Sequence, residues 1–67
     1  MTNHILMLRE SLVRHQQEMI AFNERAPYSC YQFAGGARRR AEDAARLVEL
    51  QAKLDAEREA SQSMQIN

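Results

Sequence analysis

The sequence predicts an all-α fold: an antiparallel two-helix hairpin that pairs with a second copy into a four-helix assembly. Good helix formers fill most of the 67 residues, and the interruptions are one proline and one pair of adjacent glycines. Apolar residues on both sides of Pro27 recur at helical steps of three and four. The chain has only thirteen Leu, Ile, Val and Phe residues. That is a small core for one isolated domain, so we expect self-association.

The first helix is predicted over residues 3–25. A seven-residue repeat runs along it through Ile5, Leu8, Leu12, His15, Met19, Phe22 and Ala26. A second apolar row, Leu6, Val13 and Ile20, lies about 100° round the helix. The two rows fit either one broad core face, or one row for the intrachain helix and one for a second subunit. Pro27 ends the helix because the residue before a proline disfavours helical dihedrals.

Two starts compete for the second helix. Ser29 to Gln32 fits the S-x-x-Q capping box, and Tyr28 with Phe33 fits a hydrophobic staple. This favours a turn over 26–29, a helix over about 30–60 and a frayed tail over 61–67, all in one domain. A start after Gly36 instead places three arginines in the first turn, against the helix dipole. We prefer the earlier start, although it puts both glycines inside a helix.

The second helix carries a stripe of small residues beside a row of leucines. Small side chains let another helix approach closely, so both features indicate helix packing. Together with the first helix, they give the candidate dimer and core residues: Ile5, Leu6, Leu8, Leu12, Val13, Met19, Ile20, Phe22, Ala44, Leu47, Val48 and Leu54.

The charge distribution and the single cysteine limit the classes of protein to which this chain can belong. The formal net charge is zero, but residues 1–40 carry six Arg and three Glu, while 41–67 carry three Lys/Arg and six Asp/Glu. A neutral chain is a poor general binder of nucleic acid or membrane, so we expect neither as a direct partner. The single Cys30 allows no internal disulfide, and the apolar run at residues 5–8 is too short to span a membrane. We therefore expect a cytoplasmic protein.

Catalytic and metal-binding patterns are weak. His4 and His15 are eleven residues apart, which places them three helical turns from each other and unable to share one metal ion. Cys30 has no neighbouring histidine, and the glycine pair lacks the lysine of a phosphate-binding loop. We expect no enzyme activity, no cofactor and no metal.

Residues 28–40 form the candidate binding segment. They contain both tyrosines, one of the two phenylalanines and three consecutive arginines, and Tyr and Arg are enriched at binding hot spots. We expect apolar anchors from Tyr28, Tyr31 and Phe33, and carboxylate pairing by Arg38, Arg39 and Arg40. Other interpretations stay open. These aromatic side chains could do no more than staple the turn, with the arginines facing solvent. The acidic segment 42–59 could instead be the binding surface, or the arginines could bind nucleic acid. The chain could also be a coiled-coil spacer.

A short rod whose helices meet at Tyr28 to Phe33, followed by Arg38 to Arg40, resembles the very small early proteins of temperate bacteriophages. In size and layout it is similar to the phage quorum-sensing anti-activators. The resemblance implies a homodimeric helical hairpin in the host cytoplasm that binds a LuxR-type transcription regulator and stops it engaging DNA. It also implies inhibition of the type IV pilus assembly ATPase. The resemblance is one of layout, and it transfers no individual functional residue.

Overall fold

The computed structural model describes residues 4–65, which form two helices joined by a short corner. Helix α1 spans His4–Arg25 and helix α2 spans Gly36–Gln65, with one 3-10 turn, Cys30–Gln32, between them. Cross-helix pairs such as Glu24 with Arg40 and Arg9 with Glu57 show that α1 and α2 run antiparallel. The rod measures 53 × 17 × 12 Å. Its radius of gyration is 15.5 Å, against about 11 Å for a compact chain of this length.

The preferred start of the second helix is wrong, and the competing start after the glycines is the better description. Ser29 does act as a cap, since its Oγ accepts a hydrogen bond from the Tyr31 amide at 3.3 Å. It caps only the 3-10 turn, because Phe33 returns to an extended conformation and Gly35 takes a positive φ of 82°. The residues between the turn and Gly36 are therefore not helical. Residues 61–65 of the predicted frayed tail belong to α2, and residues 66–67 lie outside the described residues. Residue 3, the predicted start of the first helix, also lies outside them.

The dipole argument against a start at Gly36 fails because each arginine of the first turn has a carboxylate beside it. Arg38 lies 3.2 Å from Glu42, and Arg39 lies 3.4 Å from Asp43. Arg40 reaches across to Glu24 of α1 at 2.9 Å. These negative charges offset the unfavourable position of the three cations at the positive end of the helix.

The helix interface is built on the second apolar row of α1. Val13 is buried with Leu50 and Leu54 of α2, and Leu6 and Leu47 pack against them. Ile20 and Met19 are half-buried. The longer repeat of α1 does not form the core of this hairpin, since four of its predicted core or dimer residues are exposed: Ile5, Leu8, Leu12 and Phe22. The predicted core residue Val48 of α2 is exposed as well. Ala44 is also exposed.

Polar residues alternate with the apolar ones along the interface, which explains why the periodicity was misleading. Gln16 is buried between the helices, and its Nε2 donates to the backbone carbonyl of Asp43 at 3.1 Å. Arg9 and Asn23 continue the same row at seven-residue spacing, and neither is fully exposed. Because three polar side chains share this row with Leu6, Val13 and Ile20, the row beside it, in which His15 is the polar member, gives the stronger apolar signal.

Candidate functional site

The corner of the hairpin is held by one buried serine. Ser29 Oγ donates to the carbonyl of Asn23 in the last turn of α1 at 2.5 Å, and accepts from the amide of Tyr31. A helix C-terminus leaves carbonyl groups without helical partners, so this bond satisfies one of them. Asn23 also donates through Nδ2 to the carbonyl of Met19 at 3.0 Å. Ser29 thus ties the end of α1 to the start of the 3-10 turn.

The glycine pair lets α2 begin directly against this corner. Gly35 accepts a hydrogen bond from the amide of Arg39 at 3.0 Å, and its positive φ turns the chain into the helix. Gly36 is buried against the backbone of Tyr31, where a Cβ atom would lie 2.5 Å from the carbonyl carbon and closer still to its oxygen. The first turn of α2 is therefore packed backbone to backbone on the 3-10 turn.

Tyr31 points into the hairpin and binds α2. Its hydroxyl donates to Asp43 Oδ2 at 2.5 Å, and Arg39 Nε lies 3.4 Å from the other oxygen of that carboxylate. Asp43 is only 7% exposed, and these two partners offset the cost of burying its side chain. Burial of the ring, together with the hydrogen bond to Asp43 and its negative charge, raises the pKa of Tyr31 to about 12. The phenol is therefore a neutral donor at ordinary pH.

The other two aromatic residues of the corner face solvent. Tyr28 is 84% exposed and Phe33 is 61% exposed. We refer to Tyr28 and Phe33, with the backbone between them, as the aromatic tip. Phe33 lies in extended backbone between the 3-10 turn and α2, and Tyr28 directly precedes the buried Ser29. Two large rings thus stand on a corner that hydrogen bonds hold in place.

The three arginines surround the start of α2 and stay largely in contact with solvent. Arg38 and Arg40 have side-chain exposures of 86% and 62%, so their ion pairs with Glu42 and Glu24 are weak. Arg39 pairs with the buried Asp43 and belongs to the tyrosine network. Of the six predicted binding residues, the structure leaves Tyr28, Phe33 and all three arginines exposed, with Arg39 at 56% and Arg40 at 62%. Tyr31 is half-buried and hydrogen-bonded within the hairpin.

Sequence reasoning overlooked Asp43 as part of this site. The residue lies seven positions before Leu50, so the spacing of the α2 interface could have identified it as inward-facing. The sequence interpretation counted it only as part of the acidic segment 42–59. Glu24, which reaches Arg40 from α1, carried no sequence signal for that contact.

A second exposed surface runs along α1. We call it the α1 stripe and define it as Ile5, Leu8, Leu12, His15, Met19 and Phe22. Its large apolar members are mostly exposed, and Leu8 reaches 63%. Monomeric proteins rarely leave so many neighbouring apolar side chains in water.

Within the described part of the chain, His, Cys, Asp and Glu residues form no group of three or more that could hold a metal ion. Neither described helix is long and apolar enough to cross a membrane. No protein-family model matches the sequence, and no curated protein or solved structure is significantly similar to it.

Proposed function

We propose that this chain acts by binding another protein through the aromatic tip and inhibiting it, without catalysing a reaction. The observation that supports this most directly is the exposure of Tyr28 and Phe33 on a corner fixed by Ser29 and the glycine pair. The backbone that carries the two rings is already fixed by these contacts, so it loses little conformational freedom on binding. Such preorganisation strengthens binding and is a common property of hot spots.

The exposed arginines next to the tip give the proposed interface its polar rim. Arg38 and Arg40 already pair with carboxylates of the hairpin, but these ion pairs are exposed to water. Replacing them by ion pairs with a partner's carboxylates therefore costs little free energy. A partner that presents carboxylates beside an apolar pocket fits this arrangement, because guanidinium groups pair with carboxylates in a directed way. Tyr31 supports the tip from behind and is not one of its anchors.

Two partner classes follow from the resemblance to phage anti-activators. One is a LuxR-type transcription regulator, which the hairpin would keep from DNA, and the other is the type IV pilus assembly ATPase. Both place the protein in the cytoplasm of a host cell. We also propose that the active form is a homodimer, with two hairpins packed as a four-helix assembly that covers the α1 stripe.

The test is to measure binding to purified members of both partner classes by calorimetry, using the wild-type chain and a Tyr28→Ala/Phe33→Ala variant. We expect the double variant to bind at least about tenfold more weakly, since each truncated hot-spot ring typically costs more than 1 kcal/mol. Val48→Ala is the matched control, because Val48 is 70% exposed but lies on α2 away from the tip. Unchanged affinity in the tip variant would overturn the proposal.

Nucleic-acid binding by Arg38, Arg39 and Arg40 is the alternative that the same experiment should examine. All three guanidinium groups lie beside carboxylates of the hairpin, which lowers the positive potential that phosphates require. We therefore expect no salt-dependent binding to duplex DNA. Binding that weakens steeply with salt and is lost in an Arg38→Ala/Arg40→Ala variant would favour the alternative. If protein binding is lost only when acids of segment 42–59 are neutralised, the binding surface lies on α2.

A further inference from the structure

We propose that the groove beside the aromatic tip is a subsite for an acidic side chain of the partner, and that Glu24 is its internal competitor. In the free hairpin Glu24 pairs with Arg40, the cation of this groove. On binding, the partner's carboxylate takes the place of Glu24. This subsite rests on the proposed protein-binding function and specifies the chemistry of the segment that the hairpin binds.

We call this groove the corner groove. It lies between the last turn of α1 and the start of α2, and its volume of about 500 Å³ is within the range of sites that accept small ligands. Glu24 and Arg40 are its charged lining residues. Its space exists because the residues of α2 along it have small side chains or none: Gly36, Ala37, Ala41 and Ala44.

The ion pair across the groove is well formed but easily exchanged. Arg40 Nη2 donates to Glu24 Oε1 at 2.9 Å. The two side chains are 62% and 42% exposed, so water competes for both and the pair stabilises the hairpin little. Among the described residues Glu24 has no other hydrogen bond or ion pair. It can therefore turn into solvent without breaking a second contact.

Both members of this pair lie at the unfavourable end of their helix. Glu24 is in the last turn of α1, which carries partial negative charge, and Arg40 is close to the positive start of α2. Side chains that oppose such local preferences are expected at functional sites. A carboxylate from a partner is not fixed to the end of α1, so it pairs with Arg40 without the cost that Glu24 bears.

The other two arginines are less suited to this exchange. Asp43, which pairs with Arg39, is buried and also hydrogen-bonded to the corner, so removing its cation would leave a buried charge poorly compensated. Arg38 pairs with Glu42 one turn further along the same helix, and neither residue lines the corner groove. Arg40 is therefore the cation that a partner's carboxylate meets in the groove.

The corner groove is continuous with the aromatic tip. Gln32 lines the groove and directly precedes Phe33 of the tip. A partner segment that contacts Phe33 thus has its neighbouring side chains beside the groove. Because alanine methyl groups and one guanidinium line the same space, the segment that fits it combines an acidic side chain with an aliphatic one.

The experiment uses two small ligands of matched shape. N-acetyl-leucine has a carboxylate beside an aliphatic side chain, and N-acetyl-leucine amide lacks the charge. Each is titrated into the isotope-labelled full chain, and the amide signals of Ala37 and Ala41 are followed by nuclear magnetic resonance. We expect the carboxylate to bind Glu24→Gln at least about threefold more tightly than the wild type, because the competing charge is gone. We expect its binding to be lost in Arg40→Gln, and the neutral amide to bind none of the chains.

Glu42→Gln is the matched control. It changes the net charge by the same amount and also frees an exposed arginine, but outside the corner groove. We expect this variant to bind the carboxylate as the wild type does. Equal tightening in both variants would reveal an effect of net charge alone and overturn the subsite, as would unchanged affinity in Glu24→Gln or no binding in any chain. Circular dichroism checks that the variants stay helical, and the comparison of the two glutamine variants does not depend on the folding of Arg40→Gln.

The subsite and the proposed function can fail separately. Tyr28 and Phe33 do not line the corner groove, so Tyr28→Ala/Phe33→Ala should bind N-acetyl-leucine as the wild type does. If this variant loses the partner protein while Glu24→Gln gains no affinity for the carboxylate, the subsite is wrong and the proposed function stands. If the variant keeps the partner protein, the aromatic tip is not the binding surface, whatever the small ligand does.

Discussion

At the scale of single residues, Gly35 and Gly36 are adjacent but are required for different physical reasons. Gly35 has a φ of 82°, and the site where a Cβ would stand is open space. Its requirement is conformational, because L-residues with a side chain rarely adopt this region. Gly36 has an ordinary φ, but a Cβ would collide with the carbonyl group of Tyr31. Its requirement is steric, and the neighbour is backbone that cannot rotate away.

Substitution by Ala and by Asn should distinguish the two glycines. At Gly35 we expect Ala to lower the free energy of unfolding by about 1–2 kcal/mol, and Asn to cost less, since Asn tolerates a positive φ. At Gly36 we expect Ala and Asn to cost about 1–3 kcal/mol each, because both add the atom that collides. Urea denaturation followed by circular dichroism measures all four. An Asn variant at Gly36 as stable as wild type would show that the corner relaxes to admit a side chain.

At the scale of elements, the corner and the first turns of α2 act as one unit. Ser29 fastens the 3-10 turn to α1, and Tyr31 fastens it to α2 through Asp43. Arg40 adds a bond from α2 back to Glu24 of α1. The start of α2 is thus set by tertiary contacts more than by local capping.

The pKa of Tyr31 gives a direct probe of this unit. In a Tyr28→Phe variant Tyr31 is the only tyrosine, and we expect its near-ultraviolet titration to have a midpoint at about 12 in the folded protein, against 10.0 for the ordinary side chain. The unfolded chain then loses this proton first as pH rises above 10.0. The free energy of unfolding should therefore fall between those two pH values.

Asp43→Asn is the matched change for that titration. It keeps the shape of the side chain but removes the negative charge that favours the protonated phenol. We expect the midpoint to move down toward 10.0, with the part caused by burial of the ring remaining. A midpoint near 10.0 in the parent Tyr28→Phe variant, with circular dichroism showing the chain still helical, would mean that Tyr31 does not bind Asp43.

The elements also show how far the sequence could predict this molecule. Helical periodicity and Pro27 were sufficient to predict two helices and a turn, because those signals are local. The start of α2 could not be read from capping patterns, since Ser29 fits a cap equally well whether three or thirty helical residues follow. What decides the start is the approach of Gly36 to Tyr31 and the pairing of three arginines, and these contacts exist only once the chain has folded. For the same reason Tyr31 could be identified in the candidate site, but not its inward direction.

At the scale of the whole molecule, the hairpin is held by a short apolar centre with polar positions around it. Val13, Leu50 and Leu54 are its buried apolar residues within the described chain, and Gln16 and Asp43 are buried beside them. At the far end from the corner, the buried Arg9 Nε has no hydrogen-bond partner among the described residues. Glu57 Oε2 is 3.8 Å away, which is too long for a hydrogen bond. This end of the interface therefore gives up stability that an apolar pair would supply.

We expect an Arg9→Leu/Glu57→Leu variant to be more stable than the wild type by about 1–2 kcal/mol. Two leucines at these positions would extend the row of Leu6 and Leu54, and they would remove a guanidinium nitrogen that is buried without a hydrogen bond. Arg9→Leu alone should gain less, because it leaves Glu57 half-buried without its cation. Thermal denaturation of the two variants at one fixed protein concentration measures the difference, because self-association of a protein makes the midpoint depend on concentration. A double variant less stable than wild type would mean that the Arg9–Glu57 ion pair stabilises the hairpin more than its 3.8 Å separation implies.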